Sequence, residues 1–420
     1  MAYVIIGNSA AAIGAVEGIR KVDRETPITL VSSEPYHTYS RPLISYYLAG
    51  KVEESLMVYR KKDFYEKNGV KAILGCRAEA LDVEKKSVNL ANGQKLPYEK
   101  LLIATGGKPF IPPIAGLDKK NVKTFIKLDD VKEIDALVSR GSKVIILGAG
   151  LIGLKAAEAL AEIGAEVVVV ELAEYILSSI LDEDAAKIVQ KHLENKGIKF
   201  ELGTTIEKVL GDEEVRAVEL KNGSTYTCDL TIVAIGVRPN LELVEGTPVN
   251  TEAGIVVNDS METNISGIYA AGDVTQGYDM TYGEKRVLPI LPNAYKQGET
   301  AGINMAGGNA KWDEGFAFNS ISFFGLPMTT AGIVNPREEG YQELEKCEPE
   351  NNLYKKLVLK DGKLVGHISL NCIERSGILT SFIREKVDIT NIAEKLLNEN
   401  GLIVLEEELR HRKLVGGGAA

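Results

Sequence analysis

Two glycine-rich turns carry the residues of this chain best suited to chemistry. One is Val4-Ile5-Ile6-Gly7-Asn8-Ser9-Ala10-Ala11-Ala12, and the other is Ile145-Ile146-Leu147-Gly148-Ala149-Gly150-Leu151-Ile152-Gly153. Laying Gly7 on Gly148 brings Ser9 onto Gly150, Ala12 onto Gly153 and Glu17 onto Glu158. Each turn follows an apolar, strand-like run and opens an alanine-rich helix, the context a dinucleotide fingerprint requires. The glycines permit a tight turn and a close backbone approach to a pyrophosphate, whose charge rests on the helix N-terminus. The second turn, Gly148, Gly150 and Gly153, is complete. The first is degenerate, and an ordinary strand–turn–helix is its alternative reading. Two dinucleotides in one chain point to hydride transfer between nicotinamide and flavin.

A carboxylate follows each turn. Glu171 ends the strand after the second turn, where it can accept hydrogen bonds from a ribose 2′-hydroxyl and repel a 2′-phosphate. Leu172 and Ala173 come next, so no arginine stands ready for that phosphate and NADH is favoured over NADPH. Glu34 lies somewhat beyond the usual spacing of about 20 residues. It reads as a ribose acid or as a solvated loop carboxylate. The four cysteines, Cys76, Cys228, Cys347 and Cys372, have no CxxC spacing and encode no local iron–sulfur or zinc site. The four histidines form no cluster, and no metal site is expected.

The elements that must position these residues are legible in the pattern. A strand at Tyr3 to Ile6, a helix at about Ala10 to Arg20 and a strand at Ile28 to Ser32 start one βαβ unit. A second begins at Lys143, with a helix from Ile152 to Ile163 and a strand from Glu166 to Val170. Ala104-Thr105-Gly106-Gly107-Lys108-Pro109 closes the first, and Ala234-Ile235-Gly236-Val237-Arg238-Pro239 echoes it at the close of the second. Ala270-Ala271-Gly272-Asp273-Val274 follows, then a helix from about Asn293 to Ala306. The expected fold is α/β, with two doubly wound Rossmann-like dinucleotide-binding domains and a small C-terminal α+β domain. Residues 1–112 and 236–314 read as an FAD-binding domain, 113–235 as an NAD-binding domain and 315–415 as the C-terminal domain. The last residues, Val415 to Ala420, read as a flexible end or an expression remnant.

With both fingerprints, Ala104-Thr105-Gly106, Gly236-Val237-Arg238-Pro239-Asn240 and Ala271-Gly272-Asp273 in hand, the chain resembles the two-dinucleotide flavoproteins of the pyridine-nucleotide oxidoreductase family. The resemblance implies FAD at the first fingerprint and NAD(H) at the second. It implies that Asp273 holds the ribityl and pyrophosphate region of FAD and that Arg41 contacts its phosphates. The helix from Asn293 would turn its positive end toward the flavin. Some members carry a redox-active cysteine shortly after the first ribose acid, yet Pro35 to Gly50 holds none, which excludes disulfide-reductase and cysteine-sulfenate mechanisms. The Ser40-Arg41-Pro42 segment is similar to that of rubredoxin and ferredoxin reductases and of the flavin part of assimilatory nitrite reductase. Tyr46 stands roughly where the ferredoxin branch has a lysine near the flavin, and Lys155 stands where relatives usually have glutamate. Lys155 has two readings: an ion pair with Glu158 three residues on, or a place over the nicotinamide site. Phe318 to Pro327 resembles the start of the third domain of the rubredoxin- and nitrite-reductase branches. Trp312, Phe323 and Phe324 are expected in the core rather than on an electron path.

The resemblance implies an NADH:acceptor oxidoreductase passing electrons from FAD to a small rubredoxin- or ferredoxin-like iron–sulfur protein. Family members also serve anaerobic chains, including ferredoxin-like partners of carbon monoxide dehydrogenase. Its rivals are a thiol-independent NADH oxidase and a redox sensor of the apoptosis-inducing-factor type. Bulk properties fit. The 420 residues are 45% hydrophobic and 26% charged, with a net charge of −10 that argues against nucleic acid and anionic membrane surfaces. No apolar run is long enough to span a bilayer. A cytoplasmic monomer or homodimer is expected.

Overall fold

The computed structural model describes residues 2–398, so the expected C-terminal tail lies outside the described residues. The chain forms two compact units. Among the described residues, one comprises 2–110, 126–131 and 236–316, and the other 111–125, 132–235 and 317–398. Most of the segment expected as the NAD-binding domain therefore shares one unit with the C-terminal segment, while residues 126–131 belong to the other.

The first unit is built on a parallel sheet with the strand order Ile268–Ala270, Lys100–Ile103, Tyr3–Ile6, Ile28–Val31, Val70–Ile73. Numbered along the chain this is 5-4-1-2-3, or 3-2-1-4-5 from the other edge, the doubly wound order with a switch point between the first and fourth strands. All four residues of Tyr3–Ile6 are buried, as a strand covered on both faces demands. The first fingerprint helix spans Ala10–Val22, and the later helix spans Leu291–Met305. They pack unusually closely. A Cβ on Gly298 would stand 1.9 Å from the Ala11 carbonyl oxygen, and one on Gly302 would stand 2.2 Å from that of Ala15. Such contact is open only to glycine, and it sets how closely the two helices approach.

The second unit repeats the plan in a parallel sheet ordered Lys199–Glu201, Glu166–Val170, Lys143–Leu147, Leu230–Val233, Val122–Thr124. Its fingerprint helix runs Leu151–Ile163 and ends on Gly164 in the left-handed conformation, which satisfies the last carbonyls. The same unit contains an antiparallel sheet of five strands, ordered Phe318–Phe323, Leu326–Gly332, Lys363–Leu370, Leu353–Lys360, Tyr341–Glu348. Helices Ser376–Glu385 and Ala393–Asn398 follow it. Tyr354 Oη donates to Asp182 at 2.6 Å, and Lys356 Nζ, only 4% exposed, pairs with Asp182 at 3.1 Å. These bonds join the antiparallel sheet to the helix capped by Asp182.

Candidate dinucleotide sites

The two fingerprint turns have matching backbone bonds. The Gly7 amide donates to Val31 O and the Ala104 amide to Ile6 O, both at 2.8 Å. The Gly148 amide donates to Val170 O and the Ala234 amide to Leu147 O, again at 2.8 Å. Gly7 has φ +133° and Gly148 φ +111°, and a Cβ on either would strike a carbonyl, Ala104 O at 2.1 Å or Ala234 O at 2.5 Å. The third positions differ. A Cβ on Gly153 would meet Gly148 O at 2.0 Å, whereas Ala12 carries its methyl fully buried. The degenerate turn thus keeps the glycine that its geometry requires.

Where a ligand would rest, the backbone is open. Gly150 has no heavy atom within 4 Å of an added Cβ, and neither do Gly106 and Gly236. Ser9 takes the place of Gly150 as N-cap of its helix and makes no side-chain cap bond. Glu171 Oε2 accepts the Ala149 amide at 2.7 Å and Oε1 accepts the Ala173 amide at 2.9 Å. Its carboxylate is therefore fixed against the second fingerprint turn.

In the first unit, Glu34 Oε2 accepts from Tyr39 Oη at 2.6 Å and Oε1 accepts from Arg41 Nη2. Arg41 Nη1 also donates to Ile126 O at 3.1 Å. Glu34 is thus a held side chain and not a solvated loop carboxylate. Burial pushes the Asp273 carboxyl up, against the pull of the Arg41 charge. Gly272, with φ +83°, donates its amide to Gln297 Oε1 at 2.8 Å. Tyr46 sits half-buried on the short helix Ile44–Leu48, with the Lys51 ammonium 5.9 Å from its ring centre.

The two echoing segments meet each other. Gly107–Pro109 and Val237–Pro239 form an antiparallel ribbon with Lys108 opposite Arg238. The Asn240 amide donates to Gly106 O and Thr105 Oγ1 donates to Asn240 O, both at 2.8 Å. Asn240 Oδ1 and His37 Nε2 are buried without a hydrogen-bond partner. The sequence pattern gave no sign of the bonds that Asn240 and Gln297 make to Thr105, Gly106 and Gly272, although Asn240 stood in the quoted motif. Trp312 and Phe323 are buried, 7% and 1% exposed, as core positions. Cys76, Cys228 and Cys372 are buried and Cys347 is exposed, all as free thiols.

Comparison with known proteins resolves the class. A pyridine nucleotide-disulphide oxidoreductase pattern matches residues 1–298. The chain belongs to the pyridine nucleotide-disulphide oxidoreductase family. It is accordingly an oxidoreductase of FAD and NAD(H). A rubredoxin NAD+ reductase C-terminal domain pattern matches residues 318–387. The chain is 32% identical over 397 residues to the epsilon subunit of NADH-dependent phenylglyoxylate dehydrogenase from Aromatoleum evansii, covering 94% of each. It is 32% identical over 395 residues to nitrite reductase [NAD(P)H] of Bacillus subtilis, matching 93% of this chain but only 48% of that protein. The solved NADH:rubredoxin oxidoreductase of Clostridium acetobutylicum is similar with a TM-score of 0.77 and 27% identity, covering 95% of this chain and all of that one. For a family named after disulphides, this member lacks the cysteine after its first acid. Among the described residues no helix is long and apolar enough to cross a membrane.

Proposed function

We propose that this protein takes hydride from NADH onto FAD and passes electrons onward to a small rubredoxin- or ferredoxin-like protein. The observation that carries the reading is the rubredoxin-reductase type of C-terminal domain on a chain with no cysteine between Pro35 and Gly50. FAD supplies the conversion of a two-electron hydride into single electrons. Gly7, Ser9 and Ala12 would cradle its pyrophosphate, with Glu34, Arg41, Ala104, Thr105, Gly106, Gly236, Gly272 and Asp273 around it. Gly148, Gly150 and Gly153 would hold the NADH pyrophosphate, and Glu171 the adenosine ribose. No side chain need move a proton in the hydride step. The chain's work is to orient two rings and to set the charge around them. With no cysteine between Pro35 and Gly50, that segment would offer bound FAD no thiol as an intermediate acceptor.

The test is anaerobic stopped-flow mixing of FAD-loaded protein with NADH, followed by addition of rubredoxin or ferredoxin. Fast flavin bleaching, then reoxidation only by the added protein, is the expected result. Rapid turnover on oxygen alone would make it an NADH oxidase, and a long-lived reduced complex with no turnover would make it a sensor.

The full-length match to the epsilon subunit favours a second reading, in which this chain is the NADH-facing subunit of a larger oxidoreductase. Copurification of other subunits with the protein from its native cells would establish it, and a lone monomer or homodimer would remove it.

A further inference from the structure

Lys155 and Glu158 lie three residues apart on one face of the second fingerprint helix and form an ion pair, with side chains 14% and 8% exposed. Each is also bonded to the C-terminal hairpin. Lys155 Nζ donates to Ser322 O at 3.3 Å, and the Phe324 amide donates to Glu158 Oε1 at 2.6 Å. Both partners belong to the tip of the hairpin joining Phe318–Phe323 to Leu326–Gly332, where Phe324 has φ +47° and Gly325 φ +81°. The first of these strands is an edge of its sheet, so its outward backbone groups have no strand beside them. His192 Nε2 meets Phe323 O at 3.1 Å, and the Lys155 ammonium lies 5.8 Å from the centre of the Phe323 ring.

The polarity of this arrangement is specific. The tip presents an acceptor at Ser322 and, two residues on, a donor at Phe324. Only a cation at 155 and a carboxylate at 158 satisfy both and also each other. Exchanging the two charges would keep the ion pair but set a carboxylate against a carbonyl and an ammonium against an N–H.

We propose that Lys155 and Glu158 are a polarity-matched latch, fastening the C-terminal hairpin to the helix that receives NADH, and that Lys155 is a positioning residue for NADH binding. Lys155 lies in the second turn of a helix capped by Gly150, so the latch stiffens the backbone on which the pyrophosphate would rest. This rests on the reading that the second fingerprint binds NADH. It also says why a lysine stands here: the residue beneath Ser322 must donate.

The experiment uses the full-length, FAD-loaded protein and the variants Lys155→Met, Lys155→Arg, Glu158→Gln and the exchange Lys155→Glu/Glu158→Lys. Two readings are taken, amide exchange across Phe318–Pro327 and the NADH KM and kcat. In K155M, tip amides should exchange roughly tenfold faster, and KM should rise several-fold at unchanged kcat. K155R should restore both, E158Q should fall between, and the exchanged pair should remain as loose as K155M. Unchanged tip exchange in K155M would overturn the latch, as would full rescue by the exchanged pair. Loss of kcat at constant KM would overturn the positioning role by placing Lys155 at the reacting atoms. If wild-type protein takes no hydride from NADH, the proposed function fails, while the amide readout still decides the latch.

Discussion

The buried side chain of Gln297 holds the turn that presents Asp273. Its Oε1 accepts the Gly272 amide at 2.8 Å and lies 3.2 Å from Thr275 Oγ1, which itself donates to Gly272 O at 2.7 Å. Gln297 is 1% exposed, so water cannot replace its oxygen cheaply.

Gln297→Leu should therefore leave the Gly272 amide unsatisfied and cost about 1–3 kcal/mol. Because the affected turn carries Asp273, FAD affinity should fall with stability. Thermal melts with and without excess FAD check this: the variant should melt lower, and added flavin should raise the Tm of the wild type more than that of the variant.

Glycines with opposite roles separate packing from ligand approach. Gly298→Ala drives a methyl into Ala11 O and should destabilise by roughly 3 kcal/mol. Gly150→Ala meets nothing within 4 Å at an ordinary φ of −78°, so its Tm should hold. NADH affinity should nevertheless drop, because the methyl occupies the space a pyrophosphate needs. Melting curves beside NADH titrations of the two variants decide it; an NADH affinity in G150A equal to wild type would refute the assignment of that turn.

Glu171 braces the Ala149 amide and is the proposed acceptor for the ribose. Glu171→Ala should raise the NADH KM and, by removing the negative charge, narrow the preference over NADPH by roughly tenfold. Steady-state kinetics with both nucleotides test this, and an unaltered ratio would transfer selectivity to other residues.

His367 gives the C-terminal sheet an acid limit. It is fully buried, and burial, aided by the neighbouring charge of Lys355, pushes its pKa down to about 3. The unfolded chain takes up a proton near pH 6.5 that the folded chain refuses, so stability is full above that value and lost as pH falls toward 3. The slope should approach about 1.4 kcal/mol per pH unit. Urea unfolding at pH 7.5 and 5.0 should show the loss in wild type, and His367→Leu should flatten it.

Much of this was legible in the chain. Gly7, Gly148, Glu171 and the strands Tyr3–Ile6 and Glu166–Val170 declared themselves because fingerprint turns and buried parallel strands are local patterns. The ion pair of Lys155 and Glu158 was one of two readings open from helical spacing alone. What spacing left out was the third participant, since nothing at Lys155 foretells that Ser322 and Phe324 will lie against it.

The two glycine turns, the lack of a cysteine between Pro35 and Gly50 and the change of pattern near Gly315 could be read from the chain alone, because each is written in neighbouring residues. Folding alone brought together Gly107–Pro109 and Val237–Pro239, Gly298 and Ala11, and Gln297 and Gly272. These contacts join residues far apart in the chain. Their geometry comes from how closely backbones can approach and which buried polar groups must find partners, and neither is visible until the chain is folded.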